Sequence, residues 1–256
     1  MRKNFGWLAS VLLLLSISLI SWRSDGPAKT RTSKQLFEQY IDELYTGANL
    51  AASGMDKTVF QKAVIGFLNL KADNMISPFS SILTVIDYNK PSREKRMWII
   101  DLDEKIMLLN TWVAHGEGSG DDTASFFSNI DNSHQSSLGF YLTDNVYIGK
   151  HGRSLHLDGL DEGFNSAARS REIVVHAANY VCQALIDQKG RLGRSWGCPA
   201  VSPDVAEQVI NTIQGKTVMF INGNDFTYSS KYLNEDISAN YAFPNSDATG
   251  TAMAKL

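Results

Sequence analysis

The sequence has little of what marks specialised chains. It has only two cysteines in 256 residues, so at most one disulfide can form. Its formal net charge is −3 and no basic run occurs beyond the extreme N-terminus, which leaves nucleic-acid binding without an electrostatic footprint. No period of about twenty to fifty residues recurs, which excludes a repeat architecture. The histidines, His115, His134, His151, His156 and His176, show no compact metal-ligand spacing. Hydrophobic residues make up 43% and charged residues 20%, an ordinary globular composition, and the length favours one main domain with an appendage.

One long uncharged apolar run is present. Met1-Arg2-Lys3-Asn4 forms a basic head, and Phe5 to Trp22 follows without a charge. This reads as a signal peptide or membrane anchor over residues 1–24; a buried core helix is the alternative. The run is near the lower limit for a span of about 17–25 residues. No Ala-x-Ala site follows it, which favours retention as an anchor. Either fate places the remainder outside the cytoplasm, in the periplasm or cell envelope. Loss of Arg2, Lys3 and Arg23 with the segment takes the exported part from −3 to −6. Residues 25–33, with Gly26-Pro27, suit a linker.

Beyond the linker, residues 34–76 have helical spacing. Leu36, Tyr40 and Leu44 recur at i, i+4 in a helix over Ser33–Ser53, and Asp56 caps a second helix through Val59, Phe60, Ala63, Val64, Phe67 and Leu68. Together they predict a helical hairpin. From Pro78 the pattern changes to β-branched and apolar runs, predicting strands at Ile82–Tyr88, Met97–Asp101, Lys105–Val113, Leu138–Leu142, Glu172–Ala177 and Lys216–Ile221. Ser202-Pro203-Asp204 starts a helix that Gly215 ends. A mainly β (α+β) domain over residues 77–223 follows, with a polar, weakly patterned tail over 224–256. Two long connections, Ala114–Ser137 and Gly149–Arg171, exceed hairpin length; loops of that length are commonly functional or mobile.

The chemistry centres on Gly193-Arg194-Ser195-Trp196-Gly197-Cys198-Pro199. A packing cysteine belongs in an apolar run, yet Cys198 sits in a turn-forming loop. Cys182 lies in the apolar "IVVHAANYVC" instead. A Cys182–Cys198 disulfide would block Cys198 as a nucleophile; a free thiol would need a base or a positive neighbour to ionise. His176 ends the run Ile173-Val174-Val175 and can meet Cys198 as a Cys–His pair, or serve as a hydrogen-bonded structural histidine. Zinc held by His115, His151 and His176 is a rival, and a non-catalytic wall-binding module a third reading. Asp121-Asp122 reads as a solvated loop.

The set "SSLGFYLT" (Ser136–Thr143), "YIGKHGRSLHLDGLDEGFNSAARSREIVVHA" and "GRSWGCPAV" resembles the murein L,D-transpeptidase catalytic domain family, a branch of the YkuD-like L,D-transpeptidases, over about Phe79 to Ile221. His176 matches the upstream histidine of its signature, and Ser195, Gly197 and Cys198 match three of four positions in Ser/Thr-His-Gly-Cys. Trp196 departs from the histidine of that pattern, and Ala200 from its Asn or Arg. The resemblance implies a β-sandwich or barrel-like domain without a cofactor or metal, acting on peptidoglycan stem peptides. It implies Cys198 as nucleophile, His176 as base near a backbone carbonyl at Ala177, and amides around Gly197 and Cys198 as oxyanion donors. Carboxypeptidase activity, with water in place of an amine, is the alternative outcome. Arg169, Arg171 and Arg194 are candidates for a stem carboxylate, with solvated surface arginines as the plain alternative. His151 is a candidate cleft residue, and Trp196 either packs beneath the loop or walls the substrate site.

Overall fold

The computed structural model describes residues 31–244. The predicted signal or anchor lies outside them, and no helix among the described residues is long and apolar enough to cross a membrane. Helix α1 (Ser33–Gly47) starts in a capping box, Thr32 accepting from the Gln35 amide and Gln35 from the Thr32 amide. It stops short of the expected Ser53 because the chain turns at Asn49, where φ is 52°. Helix α2 (Lys57–Ala72) starts at Asp56, whose carboxylate accepts from the Thr58 and Val59 amides at 2.8 and 3.0 Å. These bonds satisfy donors that a helix start leaves orphaned.

The strands are β1 (Ile82–Asp87), β2 (Met97–Asp101), β3 (Ile106–Thr111), β4 (Val113–Ala114), β5 (Gly139–Gly149), β6 (Gly152–Gly159), β7 (Val174–Ala177), β8 (Ala200–Val201) and β9 (Val218–Asn222). They form one sheet of nine in the order β3-β2-β1-β9-β5-β6-β7-β8-β4. The pairs β1–β9 and β7–β8 are parallel and the others antiparallel. Its two outer strands, β3 and β4, are consecutive in the chain and separated only by Trp112. The sheet therefore curls until its ends almost meet. This is why the predicted strand Lys105–Val113 is divided: the chain passes from one edge of the sheet to the other at Trp112.

Both faces of the central strands are buried, so alternation selects between two cores rather than between core and water. Leu83, Val85, Trp98, Ile100, Phe140, Leu142, Val218 and Phe220 face α1 and α2. Ile86, Met97, Ile99, Tyr141, Met219 and Ile221 fill the inside of the curled sheet with helix α4 (Pro203–Ile213). Each large apolar side chain buried here stabilises the fold by about 1.5–3 kcal/mol. Several elements, including the short strand β8, lie beyond the expected pattern. Strand β6 forms within the connection Gly149–Arg171. The segment after Gly223 carries helix α5 (Glu235–Ala242), tied to α2 by Asn69, whose Nδ2 donates to Asn234 O at 2.9 Å and to Ser238 Oγ at 2.6 Å. A short helix α3 (Gln183–Lys189) follows β7.

Gly66 sets how closely α2 approaches the sheet, since a Cβ there would lie 2.0 Å from the Phe140 ring. Alanine gains about 1 kcal/mol over glycine in helix propensity, but here it collides with an aromatic ring held in the core. Gly66→Ala is expected to destabilise by about 1–3 kcal/mol, read as a lower midpoint in urea unfolding. A raised midpoint would mean that α2 has room to move off the sheet.

Candidate active site

The loop before β8 is built around the Ser195 hydroxyl. It accepts from the Gly197 amide at 3.1 Å and donates to the Cys198 carbonyl at 2.7 Å. Gly197 has φ 120°, and a Cβ on it would meet Gln135 O at 2.8 Å, so only glycine fits both the dihedral and the space. The Gly197 amide is thus engaged by Ser195 and is not offered to a substrate, a correction to its reading as an oxyanion donor. The Cys198 amide has no hydrogen-bond partner among the described residues. Ser136 clamps the loop from the other side, its hydroxyl donating to Gly197 O at 3.1 Å and accepting from the Gly116 amide at 3.0 Å. The long connection Ala114–Ser137 is therefore the outer support of the cysteine loop.

Cys198 is half-buried. Its sulfur lies 3.5 Å from the Val174 amide and 3.6 Å from the Glu172 carbonyl. Burial pushes the thiol up, partly offset by the Val174 amide, Arg171 and Lys150. His176, on β7, is the cross-strand partner of Ala200, two residues beyond Cys198. Its Nδ1 lies 2.8 Å from Ala177 O. A neutral ring must donate that bond, which leaves Nε2 as the acceptor. Burial pushes His176 down, with His151 and Lys150 adding to the effect.

Cys198 and His176 line one cavity of about 660 Å³. The β5–β6 turn supplies Lys150 and His151, the latter stacked on His176 with ring centroids 4.2 Å apart. Ser195, Arg194, Arg169 and Trp196 also line it. Trp196 is 65% exposed, stacked on His134 with ring centroids 4.9 Å apart and with Lys150 Nζ 5.4 Å from its ring centroid. It stands as a wall of the cavity and not beneath the loop. The arginines are engaged within the protein. Arg169 pairs with Asp144 and Asp158. Arg194 donates to Gly120 O at 2.8 Å, with Asp121 nearby. Arg171 donates to Ser128 O, Gln135 O, Ser133 and Ser137 and so anchors the long connection. Lys150 and Glu172, both lining the cavity, carry charge there that sequence reasoning missed.

Both cysteines are free thiols. Cys182 precedes α3 as its cap residue. The zinc constellation does not assemble: His115 is fully buried, with Nδ1 2.7 Å from Arg96 Nη2, and burial, aided by Arg96, pushes it down to about 3. Among the described residues no three His, Cys, Asp or Glu side chains converge on a metal position. Asp121 and Asp122 are not merely solvated. Asp122 pairs with Arg93 and accepts from Ser92 Oγ at 2.9 Å, and Asp121 pairs with Arg191.

A raised thiol and a lowered imidazole rest uncharged at neutral pH. Thiolate absorbance of the free protein is accordingly expected to be minimal at pH 7 and to grow only above the ordinary cysteine value of about 8.5, with iodoacetamide alkylation following the same curve. A thiolate already present in the weakly acidic range would overturn that assignment of charge. Because Trp196 is exposed, Trp196→Ala is expected to shift stability by no more than about 0.5 kcal/mol while changing cavity shape. A fall in Tm as large as that of a core truncation would mean that the ring supports the loop.

Solved structures with related architecture include L,D-transpeptidases from Mycobacterium smegmatis (12% identity, covering 56% of this chain and 59% of that one, TM-score 0.35) and Stackebrandtia nassauensis (10%, 74% and 93%, TM-score 0.35). A Bdellovibrio bacteriovorus protein is 17% identical, covering 63% of this chain and 54% of that one, with TM-score 0.37. The chain thus spans 59% of the length of the M. smegmatis structure. No curated protein sequence matches it. The profile of the L,D-transpeptidase catalytic domain matches residues 51–222, beginning ahead of the second helix of the hairpin and ending with β9. The chain therefore belongs to the L,D-transpeptidase catalytic domain family.

Proposed function

We propose that this chain is a cysteine-dependent L,D-transpeptidase that cross-links peptidoglycan stems outside the cytoplasm. The observation that carries this reading is the pairing, in one cavity, of a loop-borne free thiol with a histidine whose Nδ1 is held by a backbone carbonyl. That carbonyl leaves Nε2 to exchange protons with the sulfur and the substrate nitrogen.

In the first half-reaction Cys198 Sγ attacks the carbonyl of the third residue of a tetrapeptide stem. The S–C bond forms as the thiol proton passes to His176. The C–N bond to the terminal D-alanine then breaks, and His176 returns the proton to the leaving amine. In the second, the amine of another stem attacks the thioester, a C–N bond forms, the C–S bond breaks, and His176 carries the proton from nitrogen back to sulfur. The Cys198 amide is the donor aimed at the developing oxyanion. Because the resting pair is uncharged, the thiol is activated by proton transfer during attack and not by a standing ion pair. Water in place of the second amine gives carboxypeptidase activity at the same site.

The test is mass analysis of stem peptides incubated with the purified protein. Wild type is expected to release D-alanine and form cross-linked or trimmed product. Cys198→Ala should lose about 10³-fold or more of this activity, as removal of a nucleophile does, while Cys182→Ala retains most of it. Equal loss in both variants, or activity abolished by a chelator, would overturn the assignment.

A further inference from the structure

We propose that His151 is a positioning residue for the thiol–imidazole pair: its ring fixes the plane of the His176 ring and keeps His176 the free base that accepts a proton. The proposal rests on the transpeptidase reading above and deepens it, adding a side chain that acts through His176.

His176 is fixed by hydrogen bonding at one point. The contact of its Nδ1 with Ala177 O, at 2.8 Å, decides which nitrogen is left as acceptor. The torsion that swings a histidine ring is broad, so one hydrogen bond leaves the plane free to rock. A second ring removes that freedom. His151 lies against His176 with centroids 4.2 Å apart and planes 22° from parallel. The hairpin places it there. Gly149 pairs with Gly152, so Lys150 and His151 alone make the β5–β6 turn. Pairing of β6 with β7 ends at Ser154 and His176, and the turn reaches past that last pair to set His151 on the His176 ring. Among the described residues no hydrogen bond or ion pair draws His151 elsewhere, and the stack is the contact that orients it.

A stacked imidazole also acts on charge, which a plain aromatic ring does not. Burial pushes His176 down, the Ala177 carbonyl partly restores it, and His151 and Lys150 push it down further. Other titratable and charged groups share the cavity with the two rings: Lys150 on the turn, Tyr147 and His156 on the hairpin strands, Arg169, Arg171 and Glu172 ahead of β7, Tyr180 after it, and Arg194 and Cys198 in the cysteine loop. All of them stay in place when residue 151 is replaced, so a variant there isolates the stacked ring. A charge gained by His151 in acid opposes a second charge on His176. His176 thus keeps its free Nε2 further into acid than it would beside an uncharged ring.

The experiment compares His151→Ala, which removes the ring, with His151→Phe, which keeps a flat face but cannot take a proton. Release of D-alanine from a tetrapeptide stem is followed across pH, and the His176 imidazole is titrated by NMR in the free protein. His151→Ala is expected to lower kcat about tenfold, as loosening of a reacting group does, with KM held. His151→Phe should recover most of that loss, because the ring face returns. In both variants the acid limb of kcat/KM and the His176 titration should move to higher pH. A rise in KM with kcat unchanged marks His151 as a substrate contact and overturns the proposal. A Phe variant as slow as the Ala variant, or a His176 titration that stays in place in both, overturns it as well. Wild-type protein that releases no D-alanine overturns the transpeptidase reading, and the titration, which needs no substrate, still decides for or against His151.

Discussion

The site depends on one hydroxyl. Ser195 ties the Gly197 amide to the Cys198 carbonyl and converts a flexible Gly-Cys-Pro segment into a turn with one conformation. Everything that presents the sulfur follows from that closure: the left-handed Gly197, its contact with the Gln135 carbonyl, and the Ser136 clamp that joins Gly197 to Gly116. A hydroxyl suits this position because it donates and accepts at once. Ser195 contributes by shaping the loop three residues ahead of Cys198.

Around this turn the protein separates support from recognition. Arg171 holds the long connection that backs the loop, and Arg96 lies fully buried, donating to the Lys90 and Val113 carbonyls and to His115. These guanidiniums are engaged by main-chain oxygens together with serine hydroxyls and the His115 ring, which suits a planar donor fork. The exposed charges at the cavity, Lys150 and Glu172, sit in the β5–β6 turn and ahead of β7. Aromatic stacking completes the wall: His151 on His176, His134 on Trp196 and Tyr147 on His156. The cavity thus presents flat faces and a few charges instead of a deep apolar slot.

Much of this was legible in the residues, and the exceptions have physical reasons. The central strands stood out because both their faces are buried, giving near-continuous apolar runs. Strand β6 did not, because Ser154, His156 and Asp158 alternate with apolar residues between flanking glycines and read as loop. Helix α5 escaped because its buried positions, Ser238, Ala239 and Ala242, are small, and its docking relies on the polar side chain of Asn69. The loop cysteine and strand-end histidine were visible from their neighbours. The engagement of the arginines was not, since their partners, such as Asp144 for Arg169 and Ser128 for Arg171, are remote in sequence. Nor was the left-handed turn at Glu172, closed by its amide on Arg169 O.

The passage of the chain through Trp112 has a consequence for the order in which the molecule matures. Strand β8 has two residues and is held on one side by β7 and on the other by β4, the strand that begins immediately after Trp112. Loop closure between such distant segments is slow relative to local structure. The turn that Ser195 closes therefore gains its outer support only when the curled sheet has shut. A chain caught half-folded lacks both neighbours of β8, so Cys198 comes to lie beside Val174 and Glu172 only in the complete architecture.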